Sequence, residues 1–118
     1  MENLILYYKE NSEQCSQAIK WLKAHNLAVE LREIESITRR EIFQLIYLSG
    51  MDLPDILTKL NKYSLKQQVK IKYLSRLRFG ESLIYLEKHS ELLEVPIILS
   101  NEHSLSGYNE QKIQTFLT

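Results

Sequence analysis

The sequence predicts an α/β protein: a four-stranded mixed sheet with a helical insertion between its two halves. Three observations predict it. Residues 1–36 read as strand, helix, strand. Residues 37–80 carry repeated helix-start signals and no clear strand. Residues 81–118 read as helix, strand, strand, helix. At 118 residues the chain is expected to form one domain, long enough to bury a core without disulfides or metal.

The first strand is the apolar run Leu4, Ile5, Leu6, Tyr7, Tyr8, whose β-branched and aromatic residues suit a buried, pleated position. A polar turn over residues 9–12 follows. Cys15, Ala18, Ile19 and Leu22 then recur at i, i+3, i+4 and i+7, the apolar stripe of an amphipathic helix. Asn11 or Ser12 can cap it by accepting a bond from a first-turn N–H. With Ser12 as the cap, Cys15 occupies the third helical position, near the positive end of the helix dipole. Asn26 is a plausible stop. Residues 28–34 (AVELREI) alternate as a half-buried strand does, completing a βαβ unit with a right-handed crossover.

Thr38 and Glu41 have the spacing of a capping box, with Ile37 and Ile42 at the hydrophobic-staple positions. This helix turns Ile42, Leu45 and Ile46 inward and is expected to stop at Gly50. Asp52 caps a short second helix that tolerates Pro54 in its first turn and has Ile56, Leu57 and Leu60 as its apolar face. Ser64 and Gln67 form another possible capping box. Val69, Ile71 and Tyr73 alternate briefly, which leaves strand and helix both open. Residues 81–89 read as a helix with Leu83, Ile84 and Leu86 apolar and Glu81 near its positive end. Val95, Ile97, Ile98 and Leu99 make a strand with Pro96 at its start, and residues 103–105 a possible returning strand. Gly107 breaks it, Asn109 caps, and Ile113, Phe116 and Leu117 give a last helix its apolar face. The order β α β, helical block, α β β α is that of a thioredoxin-like architecture with a helical insertion.

Composition narrows the function. Fifteen basic and fifteen acidic residues cancel, so net charge makes no case for a polyanionic partner. Within residues 56–80, however, the charges are one-sided: Lys59, Lys62, Lys66, Lys70, Lys72, Arg76 and Arg78, with no acid. They form either a patch for a phosphate backbone or acidic protein surface, or a solvated face neutralised by acids from elsewhere. The single cysteine cannot form an internal disulfide and fits a reducing, cytoplasmic setting. The N-terminus has Glu2 and too short an apolar run for a signal peptide, and no stretch approaches the roughly 20 apolar residues of a membrane span. His25, His89 and His103 lie in different segments without zinc-ligand spacing, and there is no P-loop or GxGxxG. No metal or cofactor is called for. The tyrosines fall mostly at apolar-face positions, where packing explains them better than base stacking.

Three motifs carry a resemblance. The first strand and thiol turn run into AIKWLKAHNL, ELLEVPIIL spans residues 91–99, and GYNEQKIQTFL spans residues 107–117. On these the chain resembles the Spx/arsenate-reductase group, in particular Spx-type transcriptional regulators. The likeness spans nearly the whole chain and is most specific in the two C-terminal motifs. It implies that the Val95–Pro96 bond is cis and lies beside the thiol turn.

The family's redox turn has two cysteines, whereas this chain reads Ser12-Glu13-Gln14-Cys15. Ser12 stands where the nucleophilic thiol of the reductases would be, and a hydroxyl at its free pKa is a far poorer nucleophile. The family's arginines would align near Leu60 and at Val95, and neither position is basic. Reductase activity is therefore not expected. Cys15 aligns with the second, more sheltered cysteine, and reads either as a small core residue or as a lone sensor thiol open to oxidation.

The resemblance implies a partner instead, the C-terminal domain of the RNA polymerase α subunit. In the family the contact surface includes the end of the first strand and a glycine of the helical insert. Tyr7 keeps the strand-end tyrosine, Asp52 replaces the glycine, and Gly50 lies two residues away. The alternatives are a thiol-dependent reductase (arsenate reductase or glutaredoxin-like) using Cys15, and direct DNA contact through residues 59–78.

Overall fold

Strand β1 (Leu4–Tyr8) runs through the middle of the sheet, paired on both edges. The structure is a computed structural model and describes residues 4–59 and 62–117. On one side β1 pairs in parallel with β2 (Val29–Glu33), from Leu4 opposite Val29 to Tyr8 opposite Glu33. On the other it pairs antiparallel with β3 (Ile97–Leu99), Ile5 opposite Leu99 and Tyr7 opposite Ile97. Strand β4 (Ser104–Ser106) closes the order β2-β1-β3-β4, antiparallel to β3. The mixed four-stranded sheet and thioredoxin-like α/β class expected from the sequence are the ones observed.

The period of two along a strand sends alternate side chains to opposite faces, so β1 feeds two cores. Leu4 and Leu6 pack with Ala18 and Leu22 of helix α1 (Glu13–Ala24), and with Ile98, Leu105, Ile113 and Phe116. Tyr7 turns the other way, into a cluster with Ile42 and Leu45 of helix α2 (Arg39–Ser49), Leu86 of helix α4 (Phe79–Lys88), Ile97 and Leu99. All of these side chains are buried.

Local signals place the helices. Ser12 caps α1, and asparagines in the left-handed region flank it: Asn11 at φ 60° and Asn26 at φ 56°. Thr38 and Glu41 close a reciprocal capping box on α2, Glu41 N–H to Thr38 Oγ1 at 3.2 Å and Thr38 N–H to Glu41 Oε1 at 3.1 Å. The α2 N-terminus also takes an acceptor from the neighbouring helix, Arg39 N–H donating to Glu87 Oε2 at 2.8 Å. Helix α2 ends at Gly50, whose φ of 71° is the left-handed stop that glycine adopts without penalty. Ser64 and Gln67 close a second capping box on α3 (Leu65–Leu74), which settles Val69, Ile71 and Tyr73 as helical.

Four sequence expectations need correction. The helix expected after Asp52 is one 3₁₀ turn, Leu53–Ile56, with the Asp52 N–H donating to Asp55 Oδ2 at 2.9 Å. It stops because the following backbone finds partners in a distant segment. Leu57 bridges Leu93, Glu94 N–H donates to the Ile56 carbonyl at 2.8 Å, and Thr58 N–H to the Leu92 carbonyl at 3.0 Å. Ile56 is buried as expected, while Leu60 lies outside the described residues.

Helix α4 starts two residues before Glu81, with Glu81 Oε1 accepting from the Arg78 N–H at 3.0 Å, and Ile84 faces outward while Ser82 is buried. The returning strand is shifted one residue, to Ser104–Ser106. The last helix is 3₁₀, Lys112–Leu117, begun by Asn109 Oδ1 accepting from Gln111 and Lys112 N–H at 3.0 and 2.9 Å. At three residues per turn, i and i+3 share a face. Ile113 and Phe116 are therefore buried, and Leu117 rotates out to 49% exposure.

The Thr38 capping box is a discrete contribution. Thr38→Ala is expected to lower the unfolding free energy by about 1 kcal/mol, read from urea denaturation, with the far-UV circular dichroism of the native state unchanged.

Candidate functional site

The thiol turn sits where β1 hands over to α1. Lys9, Glu10 and Asn11 leave the strand, and Ser12 adopts the extended cap conformation, φ −91° and ψ 118°. Its Oγ accepts from the Cys15 N–H at 3.3 Å, and its carbonyl from the Ser16 N–H at 3.1 Å. The Ser12 hydroxyl oxygen thus serves the helix. Cys15 is a free thiol, 3% exposed, and belongs to the same core cluster as Tyr7, Val95 and Ile97.

Across from the helix start lies the loop that carries Pro96. The Val95–Pro96 bond is cis, both residues are buried, and the Pro96 carbonyl accepts from the Gly107 N–H at 2.8 Å. The turn and this loop are tied together directly, since Gln14 Oε1 accepts from the Tyr108 N–H at 3.0 Å. Gly107 has φ 82°, a left-handed conformation that favours glycine, whereas a Cβ there would meet Glu94 Cγ only at an ordinary contact distance of 3.4 Å. Val95, the position where the resemblance would place an arginine, is an apolar core residue 6% exposed.

Lys9 supplies a cation to this region. Its Nζ donates to the backbone carbonyls of Glu91 at 2.8 Å and Leu93 at 3.1 Å. Burial holds its pKa below the ordinary lysine value, opposed by the charges of Glu94, Glu91, Cys15 and Glu35. Sequence reasoning missed this role. Lys9 stood as one more polar turn residue, and its two acceptors lie 82 and 84 positions away in the chain.

The three partner-contact candidates do not converge. Tyr7 is fully buried, its hydroxyl accepting from Arg32 Nη1 at 3.3 Å and lying within hydrogen-bonding reach of Glu41. Arg32 Nη1 also lies 3.5 Å from Glu41 Oε2, so β1, β2 and the first turn of α2 share one polar cluster. Arg32 pairs with Glu30 as well. Gly50 and Asp52 are exposed at the opposite end of α2, about 14 Å along the helix axis from Glu41 at 1.5 Å per residue. Burial first, then the contact with Glu41, pushes the Tyr7 pKa up from 10.0 to about 12.

The histidines serve locally. His25 Nδ1 meets the Trp21 carbonyl at 2.8 Å, His89 lies over Tyr85 at 4.3 Å, and His103 faces Phe116 edge-on at 6.4 Å. Among the described residues no group of three His, Cys, Asp or Glu side chains could hold a metal ion, and no helix is long and apolar enough to cross a membrane.

Comparison with known proteins agrees with this architecture. No family model matches the chain. The global transcriptional regulator Spx of Streptococcus mutans is 25% identical over 114 residues, covering 95% of this chain and 81% of its own. Spx 1 of Oceanobacillus iheyensis is 29% identical, with 95% and 85% covered. Among solved structures, an ArsC family related protein from Bacteroides fragilis superposes with a TM-score of 0.81 at 19% identity, covering 95% of both chains. These similarities to Spx regulators and to ArsC-related structures support the Spx/arsenate-reductase (ArsC) family for this chain. An arsenate reductase from Vibrio cholerae shares the fold at TM-score 0.75 and 15% identity, covering 98% of this chain and 95% of its own. Against this family background, the first position of the thiol turn carries a capping serine and the second a buried cysteine.

Two measurements follow from this geometry. Cys15 in the native protein is expected to react with a bulky maleimide on the order of a hundredfold more slowly than in urea. That is the behaviour of a thiol reached only through local opening. For Tyr7, the folded state keeps its proton up to about pH 12, whereas the unfolded state loses it near 10.0. The native state binds more protons in that window, so this contribution is complete below pH 10 and is lost as pH rises towards 12. The urea midpoint of the wild type is expected to fall more steeply across that window than that of Tyr7→Phe. Parallel profiles would remove Tyr7 as the cause.

Proposed function

We propose that this protein is a transcriptional regulator working through protein contacts, with the C-terminal domain of the RNA polymerase α subunit as partner, and that it is not a reductase. The observation that carries the reading is the thiol turn of a chain in this family with its chemistry removed. Ser12 caps a helix through its hydroxyl oxygen, and Cys15, the one cysteine in the chain, is packed into the core. No intramolecular disulfide can form from one thiol, so the regulator acts without such a switch. The relatives named above are called global transcriptional regulators. A polymerase partner fits a cytoplasmic location.

The contact edge in this reading is the exposed segment with Gly50 and Asp52, just past the end of α2. Tyr7 supports it from inside, fixing α2 against β1 and β2 through Arg32 and Glu41. Asp52 adds a carboxylate where the family carries glycine, which suits a more basic partner surface. One observation favours a second reading: the turn that leads to Cys15 also carries a cation, Lys9, whose Nζ is fixed on the Glu91 and Leu93 carbonyls. That reading makes the protein a thiol-dependent reductase, with arsenate or a glutathione mixed disulfide as substrate.

A pull-down with purified α C-terminal domain, with and without oxidant, tests the proposal. Binding is expected from the wild type, unaltered by oxidant, with Asp52→Gly changing affinity by roughly tenfold, as a central contact does. No binding by either protein removes the polymerase reading. Steady-state turnover of either substrate that disappears in Cys15→Ala would replace it with the reductase.

A further inference from the structure

Helix α3 turns apolar side chains outward. Leu65 is 81% exposed, Val69 67% and Tyr73 53%, while Leu74 on the opposite face is buried and Ile71 half-buried. At about 100° per residue, Leu65, Val69 and Tyr73 fall within an arc of roughly 80°. Lys72 lies just outside one edge of that arc, and Lys66 just outside the other. The result is a narrow apolar seam, about two turns long, with a lysine along each side.

The surrounding charge is uncompensated. Lys70, on the inner side of α3, pairs with Glu91 at 2.8 Å. No other cation of this segment shares in an ion pair among the described residues: Lys62, Lys66, Lys72, Arg76 and Arg78 have no acidic partner. Of the acids close to this face, Glu91 is engaged by Lys70, and Glu81 lies in the groove beside Tyr73. Beside Tyr73, a shallow groove of about 230 Å³ is lined by Leu77, Ile84 and Tyr85, with Glu81 and Lys88 among its lining, and continues this surface onto α4.

We propose that the outer face of α3 is a docking surface for an acidic amphipathic helix of a partner protein, its apolar side on Leu65, Val69 and Tyr73 and its carboxylates towards Lys66, Lys72 and Arg76. Charge complementarity selects this occupant. A second copy of the chain would bring the same cations against themselves, and like charges across an interface oppose association. A nucleic-acid backbone would satisfy the lysines but leave the aliphatic Leu65 and Val69 without contacts. An anionic membrane surface asks for a broad apolar face, whereas an arc of about 80° is the width of a helix-pairing seam. The inference is independent of the polymerase contact at Gly50 and Asp52.

The test uses the full chain, labelled for NMR, and a synthetic peptide of about three heptads with leucine at the seam positions and glutamate beside them. A scrambled peptide of the same composition, duplex DNA and phosphatidylglycerol vesicles are the comparisons. Saturable binding of the ordered peptide is expected, with amide shifts centred on α3 and no binding of the scrambled one. Both Leu65→Glu with Val69→Glu and Lys66→Glu with Lys72→Glu should weaken it roughly tenfold or more. These positions are exposed, so unchanged spectra outside α3 verify the fold of each variant. Equal binding of the scrambled peptide, tighter binding of DNA or vesicles, indifference to the Leu65 and Val69 changes, or no binding each overturn the proposal. Both double variants leave Gly50 and Asp52 intact, so their pull-down with the polymerase domain should match the wild type. Failure of one reading therefore stays distinguishable from failure of the other.

Discussion

Burial of β1 on both faces, with a pairing partner on each edge, is the constraint from which the rest of the architecture follows. A strand so placed has no free backbone groups to offer solvent, and its side chains must find apolar partners in two directions. Leu4 and Leu6 bind it to α1 and the C-terminal 3₁₀ turn, and Tyr7 binds it to α2 and α4. A register slip of one residue would exchange these sets and place the Tyr7 hydroxyl against the apolar side of α1, away from Arg32 and Glu41. The polar cluster thus reinforces a register that hydrophobic alternation already favours.

The same strand fixes the thiol turn. Once Tyr8 leaves the sheet, the chain has four residues, Lys9 to Ser12, in which to reverse into α1. The left-handed Asn11 makes the turn, and Lys9 reaches back to the carbonyls of Glu91 and Leu93. Those carbonyls precede the cis Val95–Pro96 bond, and Gln14 holds the loop's return at Tyr108. The turn and the loop are therefore clamped at two points by one lysine and one glutamine. Both clamps join side chains to backbone, which holds the two segments together whatever residues fill the thiol positions.

What the sequence made legible was the part of the fold written in short-range chemistry. The capping boxes at Thr38 and Ser64, the stop at Gly50 and the alternation through β1 each lie within a few residues, and each places an element in the structure. What it hid was long-range or a matter of degree. The bridge of Leu57 to Leu93 competes with helix after Ile56, and nothing near Leu57 announces a partner so distant in the chain. The 3₁₀ winding of the last segment differs from an α-helix by a fraction of a residue per turn, too little for apolar spacing to reveal except through Leu117. The site followed the same division. Ser12 and Cys15 were readable as a capped helix start, whereas the burial of Tyr7 and the reach of Lys9 depend on elements assembled from both ends of the chain.

Ser12 shows how the first position of this turn can serve the fold. Serine is among the strongest N-cap residues because its hydroxyl oxygen can accept a first-turn N–H, a contribution of about 1 kcal/mol. In this chain the accepted N–H is that of Cys15 itself. The first position of the turn thus stabilises the second, and both now serve the start of α1. With the turn occupied in this way, the recognition surfaces proposed above rest on exposed side chains: the carboxylate at Asp52, and the lysines and apolar residues on the outer face of α3. The interior of the molecule keeps the fold of the ArsC-related structures it superposes on, and the surfaces proposed for recognition lie on the helical insert.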